Sequence, residues 1–208
     1  MDKTKTILGS IKKPLMISIV LMILCGLLFP ILLSGLSAVI FPRQAKGSLV
    51  EVNGEAVGAE YVGQKFTEPY FMKGRPSAVG YNTYDEEAGE EAALSSGSAN
   101  YGATNPELKK RVEEDMEAFL AANPEVDKED IPTDLLTASG SGLDPHISPA
   151  SAMVQIPAIS RASGISEDDL ERIVEDNTKG KLLGIFGEET VNVLGVNVDI
   201  AEAMENIH

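Results

Sequence analysis

The densest collection of reactive side chains in this 208-residue chain is one short run, Thr137-Ala138-Ser139-Gly140-Ser141-Gly142-Leu143-Asp144-Pro145-His146-Ile147-Ser148-Pro149. Ser139, Ser141, Asp144 and His146 are the residue types of a hydrolase triad. A triad holds its histidine between nucleophile and acid, usually by folding distant segments together. Here all four candidates fall within eight residues of one loop, and no G-x-S-x-G elbow occurs. Hydrolysis is therefore not the expectation. Asp144 and His146 as metal ligands lack a third partner in the run. The only cysteine is Cys25 and the only other histidine is His208, which excludes a cysteine or multi-histidine metal centre. No G-x-x-x-x-G-K-[ST] loop is present, so the chain is not a self-sufficient nucleotide triphosphatase. What remains is a structural role. Asp144 and His146 are expected to fix the loop through hydrogen bonds to backbone amides and to present it to a partner. Ser139-Gly140-Ser141-Gly142 reads as a flexible turn whose amides could cradle an anion.

The elements that must hold this loop can be read in order. Two strand-like runs flank Asn53-Gly54, a strong tight-hairpin signal because both residues tolerate positive φ. The run from Tyr70 to Tyr84 reads as a strand leading into a loop, with Arg75 the one side chain expected to make a specific ionic contact. The acidic stretch Asp85 to Glu91 and the Gly/Ser/Asn-rich residues after it read as a long loop. Asn105-Pro106-Glu107 supplies a cap, a first-turn proline and an acid for a helix that Asn123-Pro124 ends. Leu108, Val112, Phe119 and Leu120 give that helix an apolar face, and the face from Lys109 to Glu117 is expected to be solvated. Ser148-Pro149 predicts another helix start, Pro157 a kink and Gly164 a stop. Ser166 and Asp169 predict the cap of a further helix running to about Thr178. The valine-rich end, from Leu182 to Ile200, reads as two strands turning at Gly187. The expected class is α+β.

Ahead of this domain, Leu15 to Ile40 runs without a charge, longer than the roughly 20 apolar residues that cross a bilayer. The chain is thus expected to comprise a basic tail over 1–14, a transmembrane helix over 15–40 and one soluble domain over 41–208. Lys3, Lys5, Lys12 and Lys13 precede the apolar run, whereas only Arg43 and Lys46 closely follow it. This bias predicts a single-pass plasma-membrane protein with a cytoplasmic N-terminus and an extracytoplasmic domain. The apolar core is too long for a cleaved signal peptide, so the anchor is expected to stay. Gly26, Pro30, Ser34 and Ala38 recur at spacings of four, a small-residue stripe suited to packing on another membrane helix. The net charge of −15 argues against nucleic-acid binding. Taken alone, these features also suit a stand-alone anchored module that gathers cations on its acidic surface.

The run from Thr137 to Pro149 resembles the signature of the KdpC family, the C subunits of the Kdp potassium-transporting P-type ATPases. Other blocks are similar to the family and keep its order. They are Phe41-Pro42 with Gln44-Ala45 and Gly47-Ser48-Leu49; Gly63-Gln64 with Phe66; Tyr70-Phe71 with Gly74-Arg75-Pro76-Ser77-Ala78; Thr104-Asn105-Pro106; and Val191-Asn192-Val193-Leu194 with Asn197. The chain departs from the pattern at Ala158 and Thr190, where the family has basic residues, and in the loosened run Ser96-Gly97-Ser98-Ala99-Asn100. The resemblance implies a non-catalytic accessory subunit. Its partners would be a channel-like potassium-binding subunit, an ATP-hydrolysing P-type subunit and a small single-helix subunit, within membrane lipid. It implies roles in assembly and as a catalytic chaperone that raises ATP affinity. No tightly bound cofactor is implied, and ATP would be met only in a ternary complex with the hydrolysing subunit. The residues it marks for partner binding or loop structure are Arg75, Pro76, Ser77, Asn105, Ser139, Gly140, Ser141, Gly142, Asp144 and His146.

Overall fold

A computed structural model describes residues 3–83 and 94–205, with side chains from residue 11 onward. The acidic run from Asp85 to Glu91 lies outside the described residues. The chain divides into two compact units, one up to Leu49 and one from Val50.

The first unit is helical: α1 (Lys3–Ile23), a π-helical turn (Leu24–Leu28), α2 (Phe29–Ile40) and the short α3 (Pro42–Ala45). Residues 11–40 form one helical span with a mean hydropathy of 2.8 in its most apolar window, long and apolar enough to cross a membrane. Pro30 sits in the first turn of α2, where its missing N–H leaves the helical ladder one donor short. The wider turn just ahead of it, in which the Phe29 amide bonds the Leu24 carbonyl, absorbs this irregularity. Pro30, Ser34 and Ala38 share α2, and Gly26 lies inside the π turn ahead of it.

The second unit is a mixed α+β domain. Strands β1 (Leu49–Val52) and β2 (Glu55–Ala59) form the expected hairpin, with Asn53 at φ 53° and Gly54 at φ 84°. Asn105 caps α4 (Pro106–Ala122) by accepting the Glu107 amide at 2.9 Å. Then follow β3 (His146–Ile147), α5 (Pro149–Met153), α6 (Ile156–Ser163), α7 (Glu167–Asp176), β4 (Thr178–Lys179), β5 (Thr190–Asn192) and α8 (Val193–Glu205). Strand β5 lies between β3 and β4, antiparallel to both, with Val191 opposite Ile147 on one side and Thr178 on the other. Helices α5 to α8 pack around this small sheet. Ile147, Ile156, Ile159, Leu170, Val174, Val191, Val196 and Ile200 are among the buried side chains of the core they share.

Three expectations fail in this unit. The valine-rich end supplies only one strand; from Val193 onward it is α8. Val193, Leu194, Val196, Asn197 and Ile200 are its buried residues, a helical spacing that packing rewards over the β preference of valine. The stretch from Phe71 to Gly74 is not a strand. Its neighbour is not another backbone but two side-chain amides. Asn197 accepts the Met72 amide at 2.7 Å and donates to the Met72 carbonyl at 2.9 Å. Gln155 does the same for Lys73, at 2.9 and 3.2 Å. Both amides are almost fully buried, at 2% and 3% exposure. Pro157 likewise opens a new helix, α6, instead of kinking a continuous one.

Because Met72 is itself buried, removing the Asn197 amide leaves a backbone donor and acceptor without water or partner. Asn197→Leu is expected to destabilise the domain by about 2–4 kcal/mol. Urea unfolding of the detergent-solubilised chain, followed by circular dichroism, measures this, and an unchanged midpoint would refute the clamp.

Candidate functional site

The loop from Thr137 to His146 is built by hydrogen bonds that arrive from four separate segments. Gly63 donates its amide to the Leu143 carbonyl at 2.9 Å. The Ser77 hydroxyl donates to the Gly142 carbonyl at 2.6 Å and accepts the Tyr81 amide at 3.0 Å. Gly97 donates to the Ser141 carbonyl at 2.7 Å, and Val193 donates to the Pro145 carbonyl at 3.0 Å. Inside the loop the Ser139 hydroxyl accepts the Gly142 amide, and the Ser141 hydroxyl accepts the Leu143 amide. The turn that could cradle an anion thus already uses its Gly142 amide on its own Ser139 hydroxyl.

Arg75 and Asp144 tie this knot. The Arg75 Nη1 donates to Asp144 Oδ2 at 3.0 Å, and its Nε and Nη2 reach the Thr137 carbonyl at 3.4 and 3.3 Å. Asp144 Oδ1 accepts the His146 amide at 3.0 Å. One carboxylate therefore fixes the turn after it and anchors a guanidinium that spans the loop from Thr137 to Asp144. Tyr81 covers the pair, donating its hydroxyl to the Arg75 carbonyl at 2.6 Å. Burial, reinforced by the Asp144 charge, pushes this phenol up to about 12 against the opposing pull of Arg75.

No nucleophile and base meet in this arrangement. His146 Nε2 lies 3.4 Å from Asn192 Nδ2, and its Nδ1 lies 3.9 Å from Asp144 Oδ1. The Ser139 and Ser141 hydroxyls serve the turn. Among the described residues, no three of His, Cys, Asp and Glu gather in a group suited to a metal.

Of the residues marked in the sequence, the structure brings together Arg75, Ser77, Ser139, Gly142, Asp144 and His146. Gly140 and Ser141 lie at the exposed end of the turn, and Asn105 stands apart as the α4 cap. Pro76 and Ser77 line a cleft of about 540 Å³ beside the knot, together with Ser98, Asn100, Tyr101, Leu108, Arg111, Asp115, Thr137 and Ala138. Arg111 and Asp115, on the helix face expected to be solvated, instead turn inward to this cleft. Arg111 Nη2 donates to the Leu136 carbonyl at 3.1 Å. Its Nε and the Asp115 Oδ2 stand 3.8 Å apart, both atoms buried and neither in a hydrogen bond. Burial, with Glu114 adding to it, holds the Asp115 carboxyl above its usual range despite Arg111.

Sequence reasoning missed Asp134, which organises the far end of the loop. It accepts the Ser148 amide at 2.7 Å, the Ser148 hydroxyl at 3.1 Å and the Ser151 hydroxyl at 2.6 Å, where α5 begins. Burial opposes its charge, but these donors outweigh the burial and hold the carboxyl below its usual range. Within Thr-Asp-Leu-Leu nothing in the sequence marks this role. Gly63 was visible as a motif residue but not as a contact. A Cβ there would stand 2.5 Å from the Asp144 carbonyl oxygen and 2.6 Å from the Tyr81 ring.

Among the described residues, one helix long and apolar enough to cross a membrane precedes a mixed α+β domain. The family model described as KdpC, the c chain of K+-transporting ATPases, matches residues 11–202, and the chain belongs to that family. The potassium-transporting ATPase KdpC subunit of Clostridium kluyveri is 61% identical over 202 residues, covering 96% of each chain. The corresponding subunit of Clostridioides difficile is 57% identical, over 94% of this chain and 98% of its own. That of Caldanaerobacter subterraneus subsp. tengcongensis is 42% identical, over 94% and 96%. The chain is thus a subunit of a potassium-transporting complex.

Two outcomes test the knot. Gly63→Ala is expected to cost about 1–3 kcal/mol, because the clash is with backbone and a packed ring; a melt equal to wild type would show that the loop yields freely. Asp134→Asn is expected to lower the melting temperature at neutral pH. Since the folded-state pKa of Asp134 is depressed, its contribution is whole above the unfolded value of about 3.9 and is lost as pH falls further. The difference between wild type and variant should therefore shrink below about pH 4, and a difference that persists there would contradict the assignment.

Proposed function

We propose that the chain is a non-catalytic accessory subunit that stabilises the assembly of an ATP-driven potassium importer. In this reading its N-terminus is cytoplasmic and its α+β domain docks on the external face of the channel-like potassium-binding subunit, over the ion entrance. The single observation that carries it is the form of the signature loop. Its polar groups are engaged in holding one shape, beside an open cleft, as suits a surface presented to a partner and not a centre that turns over substrate. The basic flank ahead of the apolar helix supports the orientation.

With the domain outside and nucleotide inside, a chaperone effect on ATP affinity acts by biasing a conformational equilibrium shared through the membrane helices. ATP is then met, if at all, only in a ternary complex with the hydrolysing subunit. The remaining partners are that subunit, a small single-helix subunit and the surrounding lipid.

The test has two arms. With Cys25 replaced by serine, cysteines introduced at Ser98 and Ser141 are expected to react with an impermeant thiol reagent on intact cells; reaction only after lysis would reverse the orientation. Removing residues 50–208 while retaining the helix is expected to weaken both co-purification of the other subunits and apparent potassium affinity. Intact assembly with unchanged affinity would overturn the docking proposal.

A further inference from the structure

The membrane-type helix has a gap in its ladder of hydrogen bonds, and the gap falls at mid-span. In a regular α-helix the Cys25 carbonyl accepts the amide four residues on, and the Gly26 carbonyl accepts the next. Those two positions are Phe29 and Pro30. The Phe29 amide is already spent on the Leu24 carbonyl, five residues back, and Pro30 has no N–H. Five residues on from Cys25 the chain again offers only Pro30. The π turn (Leu24–Leu28) thus makes room for the proline ring without supplying the donor that the ring lacks. Side chains do not repair the gap, because Leu27, Leu28, Phe29 and Pro30 carry no hydrogen-bonding group. Residues 25 and 26 are the middle pair of the 30-residue span from Ile11 to Ile40. The hydrocarbon core at that depth holds no water, and a bare carbonyl there is costly.

We propose that this turn is an acceptor site for a membrane helix of another subunit of the transport complex, whose side-chain hydroxyl, carboxamide or indole N–H donates to the Cys25 carbonyl, with the Gly26 carbonyl beside it. This rests on the chain acting as such a subunit. Two features select that occupant. Gly26 has no side chain, and a Cβ there would meet nothing within 4 Å, so a partner helix can approach to hydrogen-bonding distance. A second copy of this chain, in contrast, does not bring the donor. Its nearest hydroxyls, Ser18 and Ser34, lie seven residues before Cys25 and eight after Gly26, roughly 10–12 Å along the axis. Two copies inserted in the same sense meet depth for depth, carbonyl against carbonyl. The one side-chain donor at the right depth is the Cys25 thiol, a weak one. Lipid tails offer none.

Cys25 is the only cysteine, so expression with cysteine carrying carbon-13 at its carbonyl marks this one peptide group. Solid-state NMR of the labelled full-length chain is read first in vesicles of phosphatidylethanolamine and phosphatidylglycerol, then after reconstitution with the unlabelled other subunits. The resonance is expected at the upfield position of an unbonded carbonyl in the first sample and to move downfield in the second. A resonance already downfield in dilute vesicles would show that the chain itself or water fills the gap. One that moves downfield as the ratio of chain to lipid rises would assign the site to a second copy, and one that stays put on reconstitution would leave the turn without a partner; each overturns the proposal. In parallel, Pro30→Ala returns the missing donor and lets the ladder close on itself. It is expected to leave the melting of the soluble domain unchanged and to weaken capture of the other subunits about three- to thirty-fold. Undiminished capture overturns the acceptor site while leaving the subunit reading intact. Weaker capture with an unmoved carbonyl resonance would trace the effect to helix shape and overturn it too. Failure of the unsubstituted chain to capture any subunit overturns both.

Discussion

The soluble domain depends on a substitution of side chain for backbone. Where an extended segment would ordinarily find a neighbouring strand, Met72 and Lys73 find the amide groups of Asn197 and Gln155, each offering a donor and an acceptor at the spacing a peptide unit would. An extended segment left unpaired in the interior would carry orphaned amides and carbonyls. The two side chains remove that cost and fix the register of everything that follows, because Arg75 and Ser77 lie only a few residues beyond. The guanidinium that reaches Asp144 is placed by an asparagine on the last helix and a glutamine between α5 and α6.

From that anchor the geometry of the signature loop follows. Arg75 spans it, Ser77 and Tyr81 close one side, Gly63 and Gly97 the others, and β5 brings Val193 up to the Pro145 carbonyl. The loop contains serine, aspartate and histidine, yet Ser139, Ser141 and Asp144 are turned to holding backbone in place, and the His146 ring, expected to do the same, meets only the side chains of Asn192 and Asp144. Such order suits the docking role proposed above: a surface that is already ordered loses little conformational entropy when a partner meets it.

How much of this was legible depended on whether the signal was local. The Asn53-Gly54 hairpin, the Asn105 and Ser166 caps and the Gly164 stop are each written within a few residues, and each stands where the sequence placed it. Helix α8 was not legible because a valine-rich run satisfies β preference and helical burial equally well until the packing is known; Asn197, an amide among buried valines, was the residue that broke the tie. At the site, Arg75 could be read as an ion-pairing side chain, but its partner 69 residues away could not. Asp134 was invisible, since its three donors belong to a helix start that the sequence describes as complete with Ser148 alone. The exposed apolar turn between β4 and β5 was read as strand because the sequence shows that its residues are apolar, not that the fold leaves them outside.

The pairing of Met72 with Asn197 closes a chain segment of 125 residues. Contacts of such separation form late, after the loop-closure entropy has been met, and they slow folding. A ribosome releases the first partner long before the second. The domain therefore waits, its membrane helix already synthesised, for the C-terminal helix to arrive, and a nascent chain interrupted anywhere before α8 holds an unpaired Met72 backbone. Helix α8, made long after Met72, is the one that completes the interior around it.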